Sequence, residues 1–307
     1  RCLPKPPRSS QTPPKGPAGA GARQFLAILY LMTKTLNNVR FWTYHDSTKP
    51  VCIFIHGFTG SHEGFQYIIP HLKDFHIIVP DLPGFGESPL TLKKYTIDEL
   101  AKATNEFVTR LNLKTPPFLV SHSMGGLVAA SMLAQNPELY NGKTVFISPV
   151  AIKVNYLDSR KLGELLGRLQ YFLGKTIPGA GPRMVKSRLL SRMATKLILT
   201  TDDRALEKAI HGKQFKNLDY ISSINFYHKL HKDINKKGAI DYAPQLTKKF
   251  TPLIITGSSD NVTPLKGEKR LAKELNAKLV VIEKVGHLIH YERPTEAAAA
   301  IDEFLSQ

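Results

Sequence analysis

A chain of 307 residues, 42% of them apolar, can bury one large core or one core plus a smaller inserted domain, and this composition excludes a disordered protein. Two cysteines, Cys2 in a Pro-rich leader and Cys52 in an apolar run, supply neither a disulfide framework nor a cysteine metal site. The net charge of +17 is uneven: residues 1–23 carry five Lys/Arg and no acid, residues 24–150 net +1, residues 151–250 net +12 and residues 251–307 net −1.

No nucleic-acid motif accompanies the charge, so the basic excess reads as a solvated face and no nucleic-acid partner is expected. The rival reading is a basic segment that docks on anionic membranes, which is possible but not expected. Nothing points to an oxidising compartment, so a cytoplasmic location is expected ahead of secretion.

Residues 1–23 are rich in proline and poor in apolar side chains, a disordered composition. Phe25–Met32 has the length of a signal-peptide core but no small-x-small cleavage site after it. Residues 1–31 therefore read as a disordered or non-native extension, with Met32 as the expected start. No stretch reaches the ~20 apolar residues of a membrane span.

Leu36–His45 alternates loosely and reads as an early strand. Short continuous apolar runs follow at Val51–Ile55, His76–Pro80, Phe118–Val120, Thr144–Ile147, Pro252–Thr256 and Lys278–Ile282, each suited to a strand buried on both faces. Helical spacing links them at Tyr67–Lys73, Ile97–Leu113, Ser123–Gln135 and Pro294–Leu305. Thr96 with Glu99 forms a capping-box pattern. Alternating strands and helices imply an α/β fold: a mostly parallel central sheet with helices on both faces and its ligand crevice at the carboxyl ends of the strands. Residues 150–250 break the rhythm. They read as a helical cap, with helices near Ser159–Phe172, Pro182–Ile198, Asp203–His211 and Asp219–His231, inserted into a core of residues 32–149 and 251–307.

Chemistry concentrates where strand candidates end. In Phe118-Leu-Val-Ser-His-Ser-Met-Gly-Gly126, Ser123 stands at a strand-to-helix turn that would expose a nucleophilic hydroxyl. Ser121 replaces the usual first glycine of such an elbow, and Gly125-Gly126 is intact. Taken alone, the motif fits an ordinary loop serine about as well. His56-Gly57-Phe58-Thr59-Gly60 follows another strand and offers the Phe58 N–H as an oxyanion donor, with the Met124 N–H as the second. His56 reads as a structural loop residue. Asp260 lies in an acidic turn after Pro252–Thr256, where a structural carboxylate is the alternative. His287 lies after Lys278–Ile282. Ser123, Asp260 and His287 thus form a nucleophile, orienting acid and base in chain order, the imidazole activating a hydroxyl too weakly acidic to act alone. His122 reads as packing. His290, three residues after His287, would share a face with it in a helical turn. No third and fourth ligand accompanies these histidines and no phosphate loop is present, so neither metal nor cofactor is expected.

His56-Gly57-Phe58, Asp81–Ser88, Ser121–Gly126, Gly257–Asp260 and Gly286-His287 together resemble the α/β-hydrolase superfamily, in its capped esterase, lipase and carbon–carbon-bond hydrolase branch. The resemblance runs from about residue 36 to the end. It implies that Asp81–Ser88 is structural and lines the entrance. Epoxide hydrolases and haloalkane dehalogenases carry Asp where this chain has Ser123. The expected function is cleavage of small to medium carboxylic esters through an acyl-enzyme on Ser123. Alternatives are cleavage of vinylogous diketones by the same triad, a membrane-docking monoacylglycerol-type lipase, and a non-catalytic binding protein. Leu165, Leu166, Leu169, Tyr171 and Phe172 are candidates either to line the pocket or to pack the cap onto the sheet.

Overall fold

The computed structural model describes residues 32–153, 171–177 and 179–307. The extension expected over residues 1–31 and most of the cap helix expected near Ser159–Phe172 lie outside the described residues, as do Leu165, Leu166 and Leu169.

Eight strands form one sheet: β1 (Met32–Leu36), β2 (Val39–Tyr44), β3 (Val51–Ile55), β4 (His76–Pro80), β5 (Phe118–His122), β6 (Lys143–Ile147), β7 (Thr251–Gly257) and β8 (Lys278–Ile282). Their spatial order is β1-β2-β4-β3-β5-β6-β7-β8. Pairing is parallel from β4 onward and antiparallel at β1–β2 and β2–β4. The strand expected over Leu36–His45 is β2, and β1, which was not expected, precedes it as the first arm of a hairpin. Asn37 and Asn38, at φ 50° and 63°, make a two-residue turn, and asparagine tolerates the left-handed conformation that such turns demand.

The apolar runs are strands because both sheet faces are covered. The exception is Lys278–Ile282, expected to be buried: it is the edge strand β8 with only Ile282 buried, since it has a neighbour on one side alone. On one face Ile53, Ile55 and Leu119 pack with α1 (Ile97–Arg110) and α2 (Met124–Gln135). On the other, Phe54, Val120 and Ile255 pack with Phe65, Ile69 and the last helix. Thr96 caps α1, its hydroxyl accepting the Glu99 N–H at 3.3 Å. That helix stops at Arg110, short of the expected Leu113, with Asn112 at φ 49°. The helix expected over Tyr67–Lys73 is instead a single 3-10 turn, Ile69–His71, preceded by another 3-10 turn at His62–Phe65. Pro70 lacks the N–H a continuous helix needs there.

Between β6 and β7 the described residues are helical: residues 171–176, α3 (Ala180–Val185), α4 (Arg188–Lys196), α5 (Arg204–Asp219), α6 (Ile224–Ile234) and α7 (Ala243–Leu246). The expected Pro182–Ile198 helix is split, because Ser187 starts α4 afresh by accepting the Leu190 N–H. The expected Asp203–His211 helix runs on to Asp219 and is capped by Asp203. The next begins at Ile224 with Ser223 as its cap, rather than at Asp219. The chain closes with α8 (Leu265–Leu275), absent from the sequence reading, the single turn α9 (Ile289–Glu292) and α10 (Pro294–Ser306).

β4 and β5 lie on opposite sides of β3, so the chain switches direction there. A crevice opens at the carboxyl ends of β3 and β5, where ligands bind in sheets of this kind.

Candidate active site

Ser123 is the single residue between β5 and α2, at φ 56° and ψ −122°. A side-chain-bearing residue holds this conformation only under constraint. Its N–H donates to the Ile147 carbonyl at 3.0 Å, and its own carbonyl accepts from Gly126 at 2.9 Å and Val150 at 3.2 Å. The helix expected from Ser123 therefore starts at Met124, since positive φ cannot open a right-handed helix. A side chain at Gly125 would stand 2.3 Å from the Ile55 carbonyl oxygen, so the turn requires glycine there. Ser121 in place of glycine is accommodated because its buried hydroxyl donates to the Val145 carbonyl on β6 at 3.1 Å.

His287 Nε2 lies 2.9 Å from Ser123 Oγ. Its Nδ1 lies 2.9 Å from Asp260 Oδ2. The structure thus brings together three residues from the ends of β5, β7 and β8. Asp260 Oδ1 accepts the N–H groups of Val262 at 2.8 Å and Thr263 at 2.9 Å, and Oδ2 accepts the Thr263 hydroxyl at 2.8 Å. Burial alone would raise the carboxyl pKa. The His287 charge and hydrogen bond, with the Thr263 donors, outweigh it and hold the group at about 2. Asp260 is therefore an anion across the physiological range.

Two further histidines lie behind His287. His122 Nε2 donates to the His287 carbonyl at 3.1 Å, and its ring lies 4.1 Å from that of His290. Its part is thus more than packing, since it anchors the backbone of the loop that presents His287. Burial, then the neighbouring His287, pushes the His122 pKa down to about 3. Burial, then His122, pushes His290 well down as well. Both rings are neutral neighbours of His287. His290 lies within α9 whereas His287 precedes it, so the shared helix face considered from sequence does not form. Among the described residues no group of three His, Cys, Asp or Glu side chains is arranged to hold a metal ion.

A Cβ added to Gly57 would lie 3.1 Å from Ser123 Cβ, so the Gly57–Phe58 peptide passes beside the Ser123 side chain. Met124 is the first residue of α2, where N–H groups lack intrahelical acceptors. His56 accepts the Leu82 N–H on Nε2 at 3.0 Å, and its Nδ1 lies 2.9 Å from the Gly57 carbonyl. Nε2 as acceptor puts the proton on Nδ1, a neutral tautomer in keeping with burial, which lowers its pKa. His56 ties the loop to Leu82 and stays outside the Ser123–His287–Asp260 chain.

The crevice is a cavity of about 460 Å³, lined by Ser123, His287, Phe58, Tyr171, Leu218 and Leu288 among others. Tyr171 is buried and stacks on Tyr227, whereas Phe172 is exposed. Of these two candidates only Tyr171 lines the cavity. A smaller depression of about 190 Å³ near Asn112, Pro116 and Leu139 holds none of the candidate residues. Residues 198–200 reach the His287 loop: Thr200 Oγ1 accepts the Gly286 N–H at 3.1 Å and donates to Glu292 at 2.7 Å. From α5, Asn217 accepts the Ser61 hydroxyl at 2.9 Å. The inserted helices are fastened to both sides of the crevice.

Thr263, His122 and Glu268 were not assigned to the site from sequence. Glu268, on α8, is fully buried, and neither carboxyl oxygen has a hydrogen-bond partner. The Thr263 hydroxyl is near it, but the one proton of that hydroxyl is committed to Asp260. Burial first, and then the Asp260 charge, raises the Glu268 pKa well above the usual carboxylate range.

Residues 50–294 match the family described as alpha/beta hydrolase fold. The chain is 27% identical over 273 residues to the uncharacterized hydrolase YugF of Bacillus subtilis, covering 87% of this chain and 94% of that protein. It is 27% identical over 266 residues to the human monoacylglycerol lipase ABHD6, covering 84% of this chain and 76% of that one. A crystal structure of a putative lipase from Acinetobacter baumannii superposes with a TM-score of 0.73 at 20% identity, covering 95% and 97% of the two chains. Among the described residues no helix is long and apolar enough to cross a membrane. The chain belongs to the alpha/beta hydrolase fold family and is a hydrolase of its lipase- and esterase-like class.

Proposed function

We propose that this chain hydrolyses carboxylic esters through an acyl-enzyme on Ser123. The observation that carries the reading is the pair of 2.9 Å contacts made by His287, Nε2 to Ser123 and Nδ1 to Asp260. A neutral His287 takes the Ser123 proton as Oγ attacks the ester carbonyl. The Phe58 and Met124 N–H groups receive the negative charge on the carbonyl oxygen. As the tetrahedral intermediate collapses, the bond to the alkoxide breaks and His287 returns its proton to the leaving alcohol. Water then repeats the sequence on the acyl-enzyme and releases the carboxylic acid. Asp260 fixes the His287 tautomer and stabilises the imidazolium. The helices between β6 and β7 act as a cap that limits the acyl chain.

The mixed apolar lining of the cavity and the relatives named as monoacylglycerol lipases support a substrate with one apolar acyl chain of small to medium length. The experiment is hydrolysis of p-nitrophenyl esters of graded length together with labelling by a fluorophosphonate. Ester turnover and labelling are expected in the wild type, and both should vanish in Ser123→Ala. Diketone cleavage without ester turnover would transfer the site to carbon–carbon bond hydrolysis, and an unlabelled wild type would make it a binding protein.

A further inference from the structure

The six large apolar side chains that stand exposed among the described residues all fall between residues 172 and 197: Phe172, Ile177, Leu189, Leu190, Met193 and Leu197. A soluble surface scatters such residues, and their concentration in one short segment marks an interaction site. Over residues 171–200 the chain also carries six Lys/Arg and no Asp or Glu. No ion pair with an acidic side chain engages Lys175, Arg183, Lys186, Arg188, Arg192 or Lys196 among the described residues.

Helix α4 arranges these side chains in three stripes. Ser191, Ala194 and Thr195, followed by Ile198, face the cavity that holds Ser123. Leu189, Met193 and Leu197 recur every four residues on the exposed side and are 69%, 59% and 55% exposed. Arg188, Arg192 and Lys196 recur at the same spacing along the flank. Residues four apart are neighbours on a helix surface, so each set is a continuous row. One wall of the cavity is therefore the back of a helix whose outer side is an apolar row beside a basic row. Leu197 belongs to both, lining the cavity while standing exposed.

We infer that α4 and its flanks are a docking face for an anionic lipid surface. An apolar row beside a basic row is the pattern of a helix lying in a membrane interface: the apolar chains enter the acyl boundary and the cations meet the headgroups. Charge selects this occupant over a second copy of the chain, because two such faces would oppose six cations with six. The inference does not depend on which bond the cavity cleaves.

The test is co-sedimentation of the full chain with phosphatidylcholine vesicles, with and without phosphatidylglycerol, at low and high salt. Wild type should bind only the anionic vesicles and be released by salt. R192Q/K196Q should bind more weakly by roughly fivefold per charge removed. L189S/M193S should lose roughly tenfold in partitioning while what binding remains stays salt-sensitive. None of these four residues lines the cavity, so turnover of a soluble ester and the circular-dichroism melt should match the wild type. The melt certifies the fold even if no ester is cleaved, which separates this inference from the esterase reading. Wild type that ignores phosphatidylglycerol, or both double variants binding like the wild type, would overturn the inference. So would a wild-type dimer that sediments free of vesicles and becomes a monomer in L189S/M193S, which would give the face to a second copy.

Discussion

Thr263 holds Asp260 at both carboxylate oxygens, with its N–H 2.9 Å from Oδ1 and its hydroxyl 2.8 Å from Oδ2. Oδ2 is also the oxygen that faces His287 Nδ1. The hydroxyl therefore fixes where the imidazole finds its acceptor. Thr263→Val keeps the volume and the backbone bond and removes only this donor. Hydrogen bonds to charged groups are worth about 1.5–3 kcal/mol, so kcat for ester hydrolysis should fall on the order of tenfold or more with KM little changed. Thr263→Ser should restore most of it. An unchanged kcat in Thr263→Val would show that the two backbone donors suffice.

Asp260 also ties stability to acid. Its carboxyl is held at about 2 in the fold against a reference of 3.8. A lowered carboxyl pKa contributes stability that is complete above the unfolded value and lost as pH falls through the folded one. The contribution is on the order of 2 kcal/mol, to be lost between about pH 4 and pH 2. Asp260→Asn removes it, so the wild-type advantage in denaturant midpoint should be present at neutral pH and vanish in that acid window. The same substitution should reduce kcat by about 10⁴-fold, because an amide presents the wrong partner to the imidazole.

The catalytic candidates were legible because a parallel sheet gathers the ends of its strands at one edge. Once Phe118–Val120, Pro252–Thr256 and Lys278–Ile282 read as buried strands, Ser123, Asp260 and His287 had to share that edge. Less legible were roles created by contacts distant in sequence. His122 is 165 residues from the His287 carbonyl it binds, and nothing in its neighbourhood announces that bond. Local rules failed where two of them competed. Asn37-Asn38 lacks the glycine that usually marks a hairpin turn, so the turn reads as part of a strand over Leu36–His45 and β1 goes unnoticed. The spacing of Tyr67–Lys73 suggested a helix that Pro70 forbids. In α8 the charges at Glu268, Lys269 and Arg270 masked the apolar positions Leu265, Leu271 and Leu275. One of those charged residues is buried, which periodicity cannot disclose.

Gly86 has φ 50°, and a Cβ there would lie 2.0 Å from Asp81 Oδ2. Asp81 is buried and accepts the Glu87 N–H on Oδ2 at 2.8 Å and the His62 N–H on Oδ1 at 2.6 Å. His62 in turn stacks on Trp42 with ring centroids 3.2 Å apart. Gly86→Ala therefore combines a strained backbone with displacement of a buried carboxylate, two of the mechanisms that give large losses. A destabilisation of roughly 2–4 kcal/mol is expected, read from urea unfolding. A loss below about 0.5 kcal/mol would show that the Asp81–Ser88 loop is free to yield.

Glu268 reverses the sign of the Asp260 argument. The unfolded chain releases this proton near 4.5, whereas burial and the Asp260 charge keep it bound to higher pH in the fold. Over that interval the folded state holds more protons than the unfolded one, so stability falls as pH rises. Below the unfolded value the cost is absent. Glu268→Gln has no proton to release and keeps the shape. Its melting temperature should match the wild type near pH 4 and exceed it at about pH 8, with the gap widening in between. A gap independent of pH would mean that Glu268 is already ionised in the fold. It would then place a second negative charge behind Asp260, and the charge balance around His287 would be that of two carboxylates rather than one.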